Sequence, residues 1–164
     1  MKESQAHAAI VCPLQHVEAA WIDYNGHMNM AFYNLAFDRG VDHVYDLLGI
    51  GASYTASGAG SCFTLEVHVT YLQEVVLGDP LRIHFQLLDR DAKRLHYFQH
   101  MYHAEQGYLA ATSEQIALHA DMRTRRAAAF ADDVQQRIDA LFDQHRALPR
   151  PEQAGHVIGI RRKP

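Results

Sequence analysis

Apolar residues change their spacing several times along the chain, and each change marks an element. Residues 1–15 are mixed, with Pro13 among them, and predict a mobile lead-in or a short edge segment. Residues 17–22 read as a short strand that ends in the polar run Asp23-Tyr24-Asn25-Gly26-His27. The period then lengthens. Met30, Tyr33, Phe37, Val41, Val44 and Leu48 lie three or four apart, the spacing of one helical stripe. Asn29 suits the N-cap and Gly49 the C′ position, which brackets a helix of about five turns. Phe32, Leu35, Ala36, Tyr45 and Leu47 carry apolar character off that stripe, so the helix has to be enclosed by other structure.

Residues 49–61 are rich in Gly, Ala and Ser and predict a loop. After it the period falls to two: Phe63, Leu65, Val67, Val69 and Tyr71 alternate with Thr64, Glu66, His68 and Thr70, as in a half-buried strand. Further strands are expected over 81–88, 95–103 and 108–120, separated by Gly78-Asp79-Pro80, by 89–93 and by Glu105-Gln106-Gly107. Three tight connections predict an antiparallel meander. Val134, Ile138, Leu141 and Phe142 share one face of an amphipathic helix over 132–145, and the tail from 148 lacks periodicity and reads as extended or loose. The order predicts an α+β fold with one sheet layer against helix. A lone flat sheet cannot enclose a helix that is apolar on several sides, so either the sheet curls around it or a second subunit covers part of it, and both are expected.

The 164 residues are 48% apolar and 21% charged, with no repeat or internal boundary, so one domain over 1–164 is expected. A net charge of −4 argues against nucleic acid as the main partner. The absence of a long apolar run argues against a membrane span, and with no signal-like start the expectation is a cytoplasmic protein. Twelve histidines raise the question of metal. His96 and His100 share one strand face while His103 takes the other, no carboxylate or cysteine completes a set, and no metal is expected. Cys12 and Cys62 form no redox or metal motif. The glycine-rich loop matches no phosphate cradle. Glu66 and His68 read as a solvated strand face, with a neighbouring subunit's site as the alternative for Glu66.

The densest polar cluster runs from Trp21 to Asn29, where a strand gives way to the buried helix. A helix start offers free N–H groups and the positive end of the dipole, which would polarise an acyl carbonyl. Asp23 adds a carboxylate able to attack that carbonyl or deprotonate water. Gly26 would let the backbone turn tightly and let substrate approach. Simple turn chemistry also accounts for Asp23 and Asn25, with Asn29 as a cap, and spacing alone leaves both readings open.

Asp23-x-Asn25-x-His27-x-Asn29-x-x-x-Tyr33, entering a helix that carries Phe37-Asp38, resembles the hotdog-fold acyl-CoA thioesterases. The 4-hydroxybenzoyl-CoA thioesterase branch has its catalytic Asp at the matching place, with the Gly, Tyr and Asp that fall on Gly26, Tyr33 and Asp38. Asp-x-Asn-x-His is also similar to plant acyl-carrier-protein thioesterases. The likeness continues through Thr70-Tyr71-Leu72, Gly78-Asp79-Pro80 and the Leu-Ala-Ala-Thr of 109–112, and the family resemblance spans about 15–121 of the domain. A closer resemblance is to the betainyl-CoA thioesterases of bacterial carnitine breakdown, through Trp-Ile-Asp-Tyr-Asn-Gly-His-Met at 21–28, Lys-Arg-Leu-His at 93–96 and Leu-His-x-Asp at 118–121.

The resemblance implies a hotdog fold, with a curved antiparallel sheet of about five strands around a central helix. It implies hydrolysis of an acyl-CoA thioester without metal or bound cofactor, CoA being part of the substrate. It also implies a homodimer or homotetramer with sites between subunits. Asp23 takes the place of the catalytic carboxylate, as nucleophile or as general base. The N–H near Met30 would polarise the carbonyl, and Asn25 and His27 would orient water, Asp23 or the carbonyl. The 4-hydroxybenzoyl branch lacks that Asn and His, so its full mechanism does not transfer. For a trimethylammonium acyl group an aromatic box is expected, to which Trp21, Tyr24, Phe32, Tyr33 and Tyr54 could contribute, with Trp21 and Tyr24 as leading candidates and Tyr33 chiefly core. Asn29 stands beside them at the helix entry. Arg82, Lys93 and Arg94 are candidates for the CoA phosphates. Two rivals remain at this level: a non-catalytic acyl-CoA-binding or sensing hotdog domain, and a hotdog hydratase or dehydratase, whose usual Asp-x-x-x-x-His spacing is absent.

Overall fold

The computed structural model describes residues 8–162; the first part of the expected lead-in, residues 1–7, lies outside them. The central helix α1 spans Met30–Leu48. The Ala31 N–H donates to Asn29 Oδ1 at 3.0 Å, and Gly49 closes the helix in the left-handed region at φ 72°. Tyr33, Phe37, Val41, Val44 and Leu48 are buried, whereas Met30, at the open first turn, is exposed.

Four long strands face this helix: β3 (Ser61–Tyr71), β4 (Pro80–Arg90), β5 (Arg94–His103) and β6 (Leu109–Asp121). Short β1 (Ile10–Val11) and β2 (Gln15–His16) pair with β4, and β7 (Arg126–Ala127) pairs with β6. The main order is β1-β4-β5-β6-β3, antiparallel throughout, which corrects the simple meander. β3 lies beside β6, so residues 72–79 cross over instead of turning back. The chain stays on that path because Val75 is fully buried, its carbonyl accepts from the Met28 N–H at 2.9 Å, and the Gly78 N–H donates to Val17 O. Register shifts at Thr64/Glu66, Leu87/Asp89 and Met101/Tyr102 curl the sheet around α1.

The inner face of the sheet carries Leu81, Ile83, Phe85, Leu87, Leu95 and Met101, all buried against the helix. Polar groups on this face are bonded among themselves, as burial demands. Gln99 Nε2 donates to Phe37 O, Gln115 Nε2 donates to Gln99 Oε1, and the Tyr97 hydroxyl donates to Gln115 Oε1. β3 departs from the expected half-buried pattern. It is the edge strand, and Phe63, Leu65 and Val67 remain exposed.

Three other local expectations are corrected. Residues 17–22 hold a 3-10 turn at Ala19–Trp21 in place of a strand, because Trp21 turns inward onto Phe32, with ring centroids 5.8 Å apart. The loop over 49–61 contains a short helix, α2 (Ala52–Ala56), whose Tyr54 hydroxyl meets His119 Nε2 at 3.0 Å. Helix α3 (Asp132–His145) packs Val134 and Ile138 into the core, and Arg137 Nε donates to Leu48 O at the end of α1. Its His145 Nδ1 accepts the Leu87 N–H at the β4 bulge. The tail beyond is held as far as Gly155, in place of the extended or loose run expected. It crosses the outer sheet face, where Gln86 Nε2 donates to Pro149 O, Pro151 is buried, and the Gly155 N–H donates to the Glu114 carboxylate.

Candidate active site

Ile22 and Met28 pair as an isolated bridge and close the loop that carries the Asp-x-Asn-Gly-His run. The Gly26 N–H donates to Asp23 O at 3.0 Å, and the Asp23 N–H donates to His27 O at 3.2 Å. Gly26 sits at φ 83°, a conformation that L side chains rarely adopt, with nothing within 4 Å of where a Cβ would stand. The turn therefore wants glycine for its backbone and leaves open space beside it.

This loop aims Asp23 at the start of α1. Asp23 Oδ1 accepts the Asn25 N–H at 2.8 Å, and Oδ2 accepts Asn29 Nδ2 at 3.1 Å. The Asn25 backbone bond, more than the Asn29 amide and the nearby His27, holds the carboxyl below its ordinary range. The site therefore presents a fixed carboxylate. At the helix end, Asn29 takes the Ala31 N–H on its side chain and the Phe32 N–H on its carbonyl. The Met30 N–H has no acceptor among the described residues and is free to meet an incoming oxygen.

The opposite wall comes from the end of β3 and the crossover. The Tyr71 hydroxyl donates to Met30 O at 3.2 Å, and its ring meets Tyr33 edge-on with centroids 5.2 Å apart. Burial pushes the Tyr33 phenol up, so it stays a neutral hydroxyl. Glu74 Oε2 lies 3.5 Å from His27 Nε2, and Glu74 O accepts from the Tyr108 hydroxyl. The crossover is braced from below. Asp79 accepts the Val76 N–H and sits 3.4 Å from Nε2 of the buried His103. His103 Nδ1 accepts from the Glu105 and Gln106 N–H groups, which puts the ring proton on Nε2, facing Asp79. The two walls enclose a cleft of about 480 Å³.

Asp23, Tyr24, Asn25, His27, Asn29, Met30 and Tyr33 all line this cleft, with Gly26 in the turn that shapes it. Trp21 does not. It is 2% exposed, stacked on Phe32 and covered by the Arg39 guanidinium 4.9 Å from the ring, so its aromatic faces are already occupied. Arg82, Lys93 and Arg94 also stand outside the cleft: Arg82 is on the outer face of β4, and Arg94 Nε is bonded to Asp91 Oδ2 at 2.7 Å in the β4–β5 hairpin. Glu66 and His68 are not merely solvated, because with Arg94 they line a second cavity of about 560 Å³ under the C-terminal tail. His96 bonds Glu114 at 2.8 Å on that outer face, opposite the buried His103. Spacing missed Tyr71, Leu72, Gln73 and Glu74, which reach the cleft only because the 72–79 segment crosses over. The signal available was its length, longer than a tight hairpin needs. Among the described residues no helix is long and apolar enough to cross a membrane.

The chain matches the family model described as the thioesterase-like superfamily over residues 17–138. It is 41% identical over 140 residues to a Pseudomonas aeruginosa protein named betainyl-CoA thioesterase, covering 85% of this chain and 88% of that protein. It is 34% identical to a Rhizobium meliloti L-carnitine dehydrogenase/betainyl-CoA thioesterase, covering 89% of this chain but 29% of that longer protein. Among solved structures, a Staphylococcus aureus protein determined in complex with CoA superposes with a TM-score of 0.87 at 34% identity, covering 96% of this chain and 100% of the other. A helix wrapped by a curled antiparallel sheet, matched in sequence along most of its length, places the chain in the thioesterase-like superfamily of hotdog-fold hydrolases.

Proposed function

We propose that the protein hydrolyses betainyl-CoA to glycine betaine and CoA, a reaction belonging to carnitine breakdown, as a cytoplasmic homodimer or homotetramer. The observation that carries the chemistry is the pairing, at one helix entry, of the fixed Asp23 carboxylate with the Met30 N–H, which has no acceptor among the described residues. The Met30 N–H donates to the thioester oxygen and stabilises the oxyanion as the carbonyl carbon becomes tetrahedral. Asp23 either attacks that carbon, forming an anhydride that water then cleaves, or takes a proton from the attacking water. In both routes the C–S bond breaks, CoA leaves as the thiolate and is protonated, and the acid is released. Water and the thioester suffice, with no metal or further cofactor. The acyl identity rests on the 41% identical relative.

Hydrolysis is favoured over the sensing and hydratase readings because the relatives are named as thioesterases and Asp23 is intact at the helix entry. Self-association is supported by the edge strand β3, whose exposed Phe63, Leu65 and Val67 offer both unpaired backbone and apolar surface to a second copy. Light scattering at micromolar concentration is expected to show a dimer or tetramer, and a monomer would refute that assembly. The deciding assay measures thiol release from betainyl-, short, medium, long aliphatic and aromatic acyl-CoA. Preference for betainyl-CoA, with at least a 100-fold loss of kcat in Asp23→Asn, is expected, in line with the ~10²–10⁴-fold worth of a positioned acid or base. Binding of acyl-CoA without any thiol release would hand the site to the sensing reading.

A further inference from the structure

We infer that Glu74, presented by the crossover beside Tyr71 and Tyr33, is the specificity-determining anion that selects a cationic acyl group in this cleft. The inference rests on the thioesterase reading and adds the residues that read the acyl end. Three observations carry it. The cleft is lined by two carboxylates, Asp23 and Glu74, and three tyrosines, with no Lys or Arg among the described lining residues. Such a wall repels an anionic acyl group and gives a neutral one no charge to meet. A quaternary ammonium finds the exposed rings of Tyr24 and Tyr71 and negative charge there.

The two carboxylates are also held differently. Asp23 has each oxygen bonded, to the Asn25 N–H and the Asn29 amide, which fixes it for chemistry. Among the described residues the Glu74 carboxylate meets only His27 Nε2 at 3.5 Å, a loose contact, and its side chain is 66% exposed. Its negative charge is left largely uncompensated and open to the cleft. The position of Glu74 is nonetheless fixed through its backbone. Its carbonyl accepts from the Tyr108 hydroxyl, and the next residue, Val75, is fully buried and takes the Met28 N–H. Tyr71 is pinned through its hydroxyl to Met30 O, so its ring stands at the helix entry where the acyl carbonyl would sit. A trimethylammonium cannot donate a hydrogen bond, so a carboxylate with tyrosine rings is a receptor of suitable chemistry, and of the two carboxylates Glu74 is the one not engaged at the helix entry.

The test compares betainyl-CoA with 3,3-dimethylbutanoyl-CoA, in which carbon replaces the nitrogen and the shape is kept while the charge is lost. Wild-type enzyme is expected to prefer the cation in kcat/KM. Glu74→Gln preserves shape at an exposed site and is expected to lower that preference about tenfold, with Glu74→Lys lowering it further. Thermal melts of both variants confirm that they fold. Tetramethylammonium is expected to inhibit the wild type competitively and Glu74→Gln about tenfold more weakly. A wild-type preference that survives unchanged in Glu74→Gln, or a parallel loss on both substrates, overturns the assignment of Glu74 alone. Equal turnover of the two substrates by wild type overturns the betainyl reading together with it, and absence of thiol release from both substrates removes the betainyl-CoA hydrolase reading beneath both.

Discussion

Asn29 serves two partners at once. Its Oδ1 caps the central helix through the Ala31 N–H, and its Nδ2 holds Asp23. The two roles separate by substitution. Asn29→Ser keeps a capping oxygen but loses the amide donor, so kcat is expected to fall at least about tenfold with little change in Tm. Asn29→Ala loses both, and the missing cap costs about 1 kcal/mol, or roughly 2–4 °C in Tm for a chain of this size. Equal kcat in the Ser variant and wild type would show that Asn29 is only a cap. The Asp-x-Asn-Gly-His-x-Asn run was legible in the sequence because its members act on near neighbours in the chain, through turn and cap bonds that span few residues. Trp21, from the same stretch, does not reach the cleft. Its indole faces Phe32 and Arg39, and the direction a side chain takes at the end of a 3-10 turn is set by what packs on it.

The helix shows what an element gains from close approach. Gly40 faces the sheet, and a Cβ there would stand 2.9 Å from Gln99 Nε2 and 3.2 Å from Ile83 Cγ2. Gln99 cannot simply move, since it is fully buried and donates to Phe37 O. Gly40→Ala would gain about 1 kcal/mol of helix propensity. Overpacking costs about 1–3 kcal/mol, and with a buried hydrogen bond displaced the net effect is expected to be destabilising. A lower Tm by differential scanning calorimetry is the expected result, and a raised Tm would show that the helix–sheet gap can widen freely. The boundaries of α1, α3 and the four long strands were legible because period and caps are local. The strand order was not. β3 and β6 pair across some fifty residues, and β-periodicity says which residues face the core but not which strand lies alongside.

At the scale of the molecule, burial of histidines ties stability to pH. Desolvation lowers the pKa of His84, His100 and His145 below the ordinary value, with neighbouring positive charge from Arg82 adding to the effect at His84 and from His84 at His100. His145 must also be neutral at Nδ1 to accept the Leu87 N–H. A group whose folded pKa is depressed contributes stability above its unfolded pKa and loses it as pH falls toward the folded value. Tm is therefore expected to be flat above about pH 7 and to fall as pH drops below about 6.5, the unfolded histidine range. Thermal melts from pH 8 to pH 5 check this, and a Tm that rises on acidification would contradict it. These rings lie on or beside the outer sheet face that the C-terminal tail crosses, so acid would loosen α3 and the tail before the helix-facing core.

By itself the sequence determined the central helix with both its ends, the four long strands, the C-terminal helix and the carboxylate at the helix entry. All of these follow from spacing, capping and turn chemistry within a few residues. The tertiary structure decided the strand order, the tail across the outer face, the removal of Trp21 from the cleft, and the arrival of Tyr71 and Glu74 opposite Asp23. Those facts depend on which surfaces distant segments bury together. Val75 reached the space beneath the helix entry and drew the crossover over it, and no local period records where a buried side chain will find its partners.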